Sequence, residues 1–146
     1  MPTSLFHPSL RPSADPATMI WYQAVTKQLD ASGLFTRCTL IGAKLRALIT
    51  ETLFLDIYYD PATRSYSYGL IDLELPYKGD KRIFGWDDYP HEGVGELKQL
   101  KSYPHHFQFR KNGQWVFEES PMRGDIAREI GIVIQTIANY RKKRTG

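Results

Sequence analysis

One cysteine in 146 residues, Cys38, excludes an internal disulfide framework and a cysteine-built zinc site. No apolar run approaches the roughly 20 residues that a membrane-spanning helix needs, so no membrane partner is expected. The opening MPTSLFHPSLRPSADP has no basic stretch followed by a continuous apolar one, so a secretory leader is not expected in it. A cytoplasmic location is the expectation. Internal repeats and domain linkers are also missing, and the length suits one domain. Charge of one sign is scarce as well: 19 Lys and Arg against 16 Asp and Glu give +3. Arg141, Lys142, Lys143 and Arg144 supply more than this whole excess. The remainder is close to neutral, so net charge alone does not argue for a nucleic-acid surface.

The elements that are there can be placed by period and punctuation. Residues 1–14 hold three prolines among the first twelve and no periodic apolar pattern, and they read as an irregular arm. A domain over 15–140 and a basic tail over 141–146 follow. Asp15 and Pro16 open a helix at about 16–31, with Ile20, Ala24, Val25 and Leu29 at helical spacing and Gly33 as its stop. Residues 37–50 alternate, placing Thr39, Ile41, Ala43, Leu45, Ala47 and Ile49 on one side of a single strand. Two hairpins are expected next, LFLDIYY with SYSYGLID and then KRIFGWDD. A third pairs HHFQFR with QWVFEES about the turn pair Asn112-Gly113. A final amphipathic helix should begin near Ser120-Pro121, its stripe formed by Ile126, Ile130, Val133, Ile134 and Ile137, with Glu129 off it. The expected class is α+β, an antiparallel sheet of about six strands carrying an N-terminal and a C-terminal helix.

Residues with chemical potential concentrate in one stretch, 87–110. It contains Asp87, Asp88, Tyr89, His91, Lys101, Tyr103, His105, His106 and Arg110. A loop carried by a rigid sheet is a common setting for binding and catalysis. His105 and His106 point to opposite sides of a strand, and His106, which alternates with Gln108 and Arg110, takes the polar side.

The segments FLDIYYDPATRSYSYGLI, KRIFGWDDYPHEG, YPHHFQF and EES together resemble the TumE family of toxins from prokaryotic toxin–antitoxin pairs. The resemblance spans roughly residues 37–138. Glu92 stands where a second His is common in that family, and Gln108 where it often has His, so neither position is counted as catalytic. The resemblance implies an antiparallel α+β domain, a cognate antitoxin partner and action on RNA.

The residues themselves allow a ribonuclease without a cofactor, because RNA carries its own 2′-hydroxyl nucleophile. His has the pKa suited to taking and returning that proton. His91 and His106 are then the acid–base pair, Arg110 and Lys101 hold phosphate, and Trp86 or Tyr89 stacks a base. Asp87, Asp88 and His105 belong to the same binding surface. Arg141, Lys142, Lys143 and Arg144 either track an RNA backbone or merely complement a helix terminus. Other readings stay open. His91, His106 and Asp87 or Asp88 form a donor set for a divalent metal, although their spacing matches no strong signature. The chain is alternatively a non-enzymatic module that binds protein or nucleic acid, and a second copy of the chain is a further partner to consider.

Overall fold

A computed structural model describes residues 16–145. The expected arm over 1–14 and the Asp15 cap lie outside these residues. Helix α1 (Pro16–Ser32) buries Trp21, Tyr22, Val25, Thr26 and Leu29. The period is the one expected, but the stripe is not: Ile20 is 70% exposed, because the larger Trp21 and Tyr22 occupy the core-facing turn.

Seven strands follow: β1 (Arg37–Ile41), β2 (Lys44–Leu48), β3 (Leu53–Tyr59), β4 (Tyr66–Asp72), β5 (Arg82–Asp87), β6 (His106–Lys111) and β7 (Gln114–Glu118). They lie in chain order, each antiparallel to the next. The class is α+β, with one strand more than the sequence suggests. Residues 37–50 are not one strand but a hairpin, closed by Ile41 opposite Lys44 with Gly42-Ala43 between them. Gly42, at φ +60°, takes the left-handed conformation that the first position of such a turn requires. The turn also reverses the alternation. Cys38 and Leu40 lie opposite Ala47 and Leu45 on one face, and Thr39 and Ile41 fall on the other. At Asn112-Gly113 both residues have positive φ, as the β6–β7 turn pair predicts.

Helix α3 (Ile126–Thr145) starts later than Ser120-Pro121 suggests. Ser120 Oγ instead accepts the Met122 N–H (3.1 Å) inside a loop. Glu129 is fully buried rather than off the stripe. Its carboxylate accepts the N–H groups of Arg123 (2.6 Å) and Asp125 (3.0 Å) and the Tyr68 hydroxyl (2.8 Å). It therefore satisfies orphan donors ahead of the helix and ties the helix to β4. Residues 141–145 continue α3 and do not form a separate tail.

Both long helices cover the same sheet face. Val25 and Leu29 of α1 and Ile130, Val133 and Ile137 of α3 share a core with Leu45, Leu55, Ile57, Tyr68, Leu70, Phe84 and Trp86. Each such side chain taken out of water contributes on the order of 1.5–3 kcal/mol. The opposite face is polar. The loop between β5 and β6, with its one-turn helix α2 (Gly95–Lys98), reaches that face near Phe117, where the His91 ring lies 6.2 Å from the Phe117 ring.

Candidate functional site

Strand register builds the polar face in two adjacent rows. One runs Arg46, Asp56, Gly69, Gly85, Gln108 and Phe117; the other runs Lys44, Tyr58, Ser67, Asp87 and His106. Between β4 and β5 the register shifts at Leu70/Ile71, a bulge that breaks the alternation and turns Arg82 onto this face. The Arg82 side chain then lies over two facing glycines. A Cβ on Gly69 would stand 2.9 Å from Arg82 Nε, and one on Gly85 would stand 2.6 Å from the Tyr68 carbonyl oxygen and 3.0 Å from Arg82 Cδ. Only glycine leaves room for the guanidinium stem.

Arg82 Nη1 donates to Asp87 Oδ2 at 3.2 Å, while its buried Nε has no hydrogen-bond partner among the described residues. Lys44, Asp56, Tyr58, Ser67, Gly69, Ile71 and Arg82 line a groove of about 220 Å³. At one end of the face Arg46 grips Asp56 through two bonds of 2.8 and 2.9 Å and covers the Phe54 ring at 4.0 Å. That bidentate pairing raises the Arg46 guanidinium pKa above its usual value, chiefly through the hydrogen bond to Asp56.

At the other end lies a cluster of Asp87, His91 and His106. His106 has no exposed surface, and its Nδ1 stands 2.9 Å from the Pro104 carbonyl oxygen. Its Nε2 faces two oxygens, Asp87 Oδ1 at 3.1 Å and Gln108 Oε1 at 3.0 Å. Asp87 Oδ1 also accepts the Tyr89 N–H at 3.0 Å, an Asx-type bond that shapes the loop leading to His91. The His91 and His106 ring centres are 5.4 Å apart, and His91 Nε2 is buried without a hydrogen-bond partner among the described residues. One ligand atom from each of Asp87, His91 and His106 lies within 4.8 Å of those of the other two. Burial lowers the His91 pKa, with Asp87 opposing that shift and His106 and Arg82 adding to it.

The remaining expected residues divide clearly. Tyr89 is exposed and meets His91 edge-on at 4.8 Å, so it is open for stacking. Asp88 accepts the Ser65 hydroxyl at 2.9 Å beside the cluster. His105 points away from His106, as alternation requires, and its Nδ1 meets the Tyr66 hydroxyl at 2.9 Å. Burial lowers the His105 pKa, with Arg123 adding to that shift.

Trp86 is buried on the covered face against Phe84 and Phe107, so its ring is not available to stack a base. Arg110 is sandwiched between Tyr77 (4.1 Å) and Trp115 (4.0 Å), and it donates to the carbonyls of Arg82 and Asp80. It clamps the β4–β5 connection instead of facing His91. Lys101 is exposed, and its backbone N–H is held by Glu119 (2.8 Å). That bond, followed by the one from the Ser102 N–H, keeps the Glu119 carboxyl below its usual pKa.

Arg141, Lys142, Lys143 and Arg144 belong to α3, on the covered side of the sheet, and the fold does not bring them to the His91 cluster. Lys143 instead borders a groove of about 480 Å³ with Phe107, Phe109 and Tyr140. Arg82 and Lys44 are members of the polar face that the sequence reading does not name as site residues, whereas Gln108 lies on the polar side where alternation puts it. Glycines inside two adjacent strands, in YSYG and FGWD, were the available signal, since strand-interior glycine marks a close approach.

No helix among the described residues is long and apolar enough to cross a membrane. Comparison with protein-family models, curated proteins and solved structures finds no match.

Proposed function

We propose that the chain is the toxin of a toxin–antitoxin pair and acts on RNA through the polar face of its sheet. The observation that carries this reading is convergence. The segments on which the TumE resemblance rests are separated in sequence, yet their side chains meet: Asp87 and His91 from WDDYPHEG, His106 and Gln108 from YPHHFQF, and Ser67 of YSYG opposite Asp87. Ser65 and Glu119, from the flanking segments, fix the loops around them.

In this reading Arg82 and Lys44 meet backbone phosphate in the groove beside the cluster, and exposed Tyr89 stacks a base. The roles first assigned to Arg110 and Trp86 pass to these residues. The His pair is revised too. A general acid or base must reach the proton it transfers, and His106 has no exposed atom, which makes it a positioning residue beside the more accessible His91.

The burial of His106 also favours one alternative, a module that binds RNA or protein without cutting it. Expression of the chain alone in a bacterium tests the first reading. Growth arrest is expected, with relief by His91→Ala at equal soluble protein. Growth unaffected by the intact chain overturns the toxin reading; arrest that persists in His91→Ala, with cellular RNA intact, supports the binding module.

A further inference from the structure

We propose that Asp87, His91 and His106 form a binding site for a divalent transition metal of the zinc class. The donor set is two imidazoles and one carboxylate, the mixture that borderline divalent ions take. Three independent features of the cluster point to such an ion.

The first is His106. Its Nδ1–H is directed to the Pro104 carbonyl at 2.9 Å, which fixes the tautomer and presents the Nε2 lone pair to the interior. A backbone carbonyl on the distal nitrogen is the usual way a metal-binding imidazole is oriented. In that tautomer the Nε2 lone pair faces two further acceptors, Asp87 Oδ1 at 3.1 Å and Gln108 Oε1 at 3.0 Å. The Gln108 amide, turned about its last bond, can offer an N–H instead of Oε1, but the Asp87 carboxylate cannot. A cation removes that remaining conflict by taking an electron pair from His106 Nε2 and from Asp87 Oδ1.

The second is His91. Its Nε2 is buried and has no hydrogen-bond partner among the described residues, an unfavourable state for a polar nitrogen. The third is convergence in space. The three ligand atoms lie within 4.8 Å of one another, and the Asp87–His106 pair at 3.1 Å is already near the roughly 3.4 Å that separates two ligands on a tetrahedral ion.

The supports are also in place. Asp87 ends β5 directly opposite His106 at the start of β6, so two ligands sit on paired strands, and His91 comes from the loop between them. Arg82 and the Tyr89 N–H orient the Asp87 carboxylate from outside. Arg82 leaves Oδ1 to the centre by taking Oδ2. The occupant that competes with a metal is a proton, which would make His106 an imidazolium paired with Asp87 and leave His91 Nε2 unpartnered.

The metal proposal does not rest on the RNA reading and is measured on the purified full chain; with the ion bound, His91 is its ligand and no longer a free acid or base. Calorimetric titration of metal-free protein with zinc should show one ion per chain. His91→Ala, a change in a loop, should lower that affinity by about tenfold or more, and Asp87→Asn should also weaken it. Circular dichroism of the metal-free variants must match that of the parent. In the intact protein, nitrogen resonances of His91 and His106, and not of His105, should shift on zinc addition. Absence of stoichiometric binding, equal affinity in folded His91→Ala, or shifts confined to other histidines would overturn the site. Zinc binding in a chain that leaves bacterial growth untouched would uphold the site while removing the toxin reading.

Discussion

The two faces of the sheet are made by the same strands and obey opposite rules. On the covered face, residues two apart repeat one chemistry: Leu55 and Ile57 on β3, Tyr68 and Leu70 on β4, Phe84 and Trp86 on β5, all buried beneath α1 and α3. On the polar face the same alternation carries Arg46, Asp56, Asp87, His106 and Gln108, and the register shift adds Arg82, all held by ion pairs and hydrogen bonds. The covered face is stabilised by area, which tolerates exchange of similar shapes. Directed bonds hold the polar face, where each loss leaves a partner unpaired. The difference separates a face stabilised by buried area from one that gathers the charged and hydrogen-bonding groups.

That division can be tested by substitutions whose effects should fall in order. Leu55→Ala, at a fully buried position, should cost about 2–5 kcal/mol by denaturant unfolding. A much smaller loss would show that the covered face is not the stabilising one. Glu129→Ala, the polar exception on that face, should cost about 3 kcal/mol, because it strands the Tyr68 hydroxyl and two backbone N–H groups. Gly85→Ala on the polar face should cost about 1–3 kcal/mol, since the added methyl meets the Tyr68 carbonyl and the Arg82 stem. Lys44→Ala should change stability by no more than about 0.5 kcal/mol while weakening RNA binding and flattening its salt dependence, read by fluorescence anisotropy.

How much of each face could be read beforehand follows from how local its causes are. Helix periods, the Asn112-Gly113 turn and the placing of His106 on the polar side depend on neighbours in sequence and were legible. Gly42 was not, because Ile41-Gly42-Ala43-Lys44 continues an apparent alternation, and only the cross-strand pairing shows the phase reversal. Ser120-Pro121 carries a helix-start signal that belongs to a loop, whereas the true start at Ile126 is set by Glu129, whose partner Tyr68 is distant in sequence. Trp86 was readable in principle: it precedes Asp87 by one residue on a strand, so the two cannot share a face. The Arg82 position depends on the register shift at Leu70/Ile71, which leaves no mark in the period; Gly69 and Gly85 signal a close approach there but not which side chain makes it.

The most direct test of this division maps single-stranded RNA onto the two faces by following backbone amide resonances during titration. The account predicts shifts concentrated at Lys44, Ser67, Tyr89, His91 and Gln108, with α3 from Arg141 to Arg144 nearly silent. Shifts concentrated on Lys142, Lys143 and the groove beside Phe107 and Phe109, with the polar face unmoved, would contradict it.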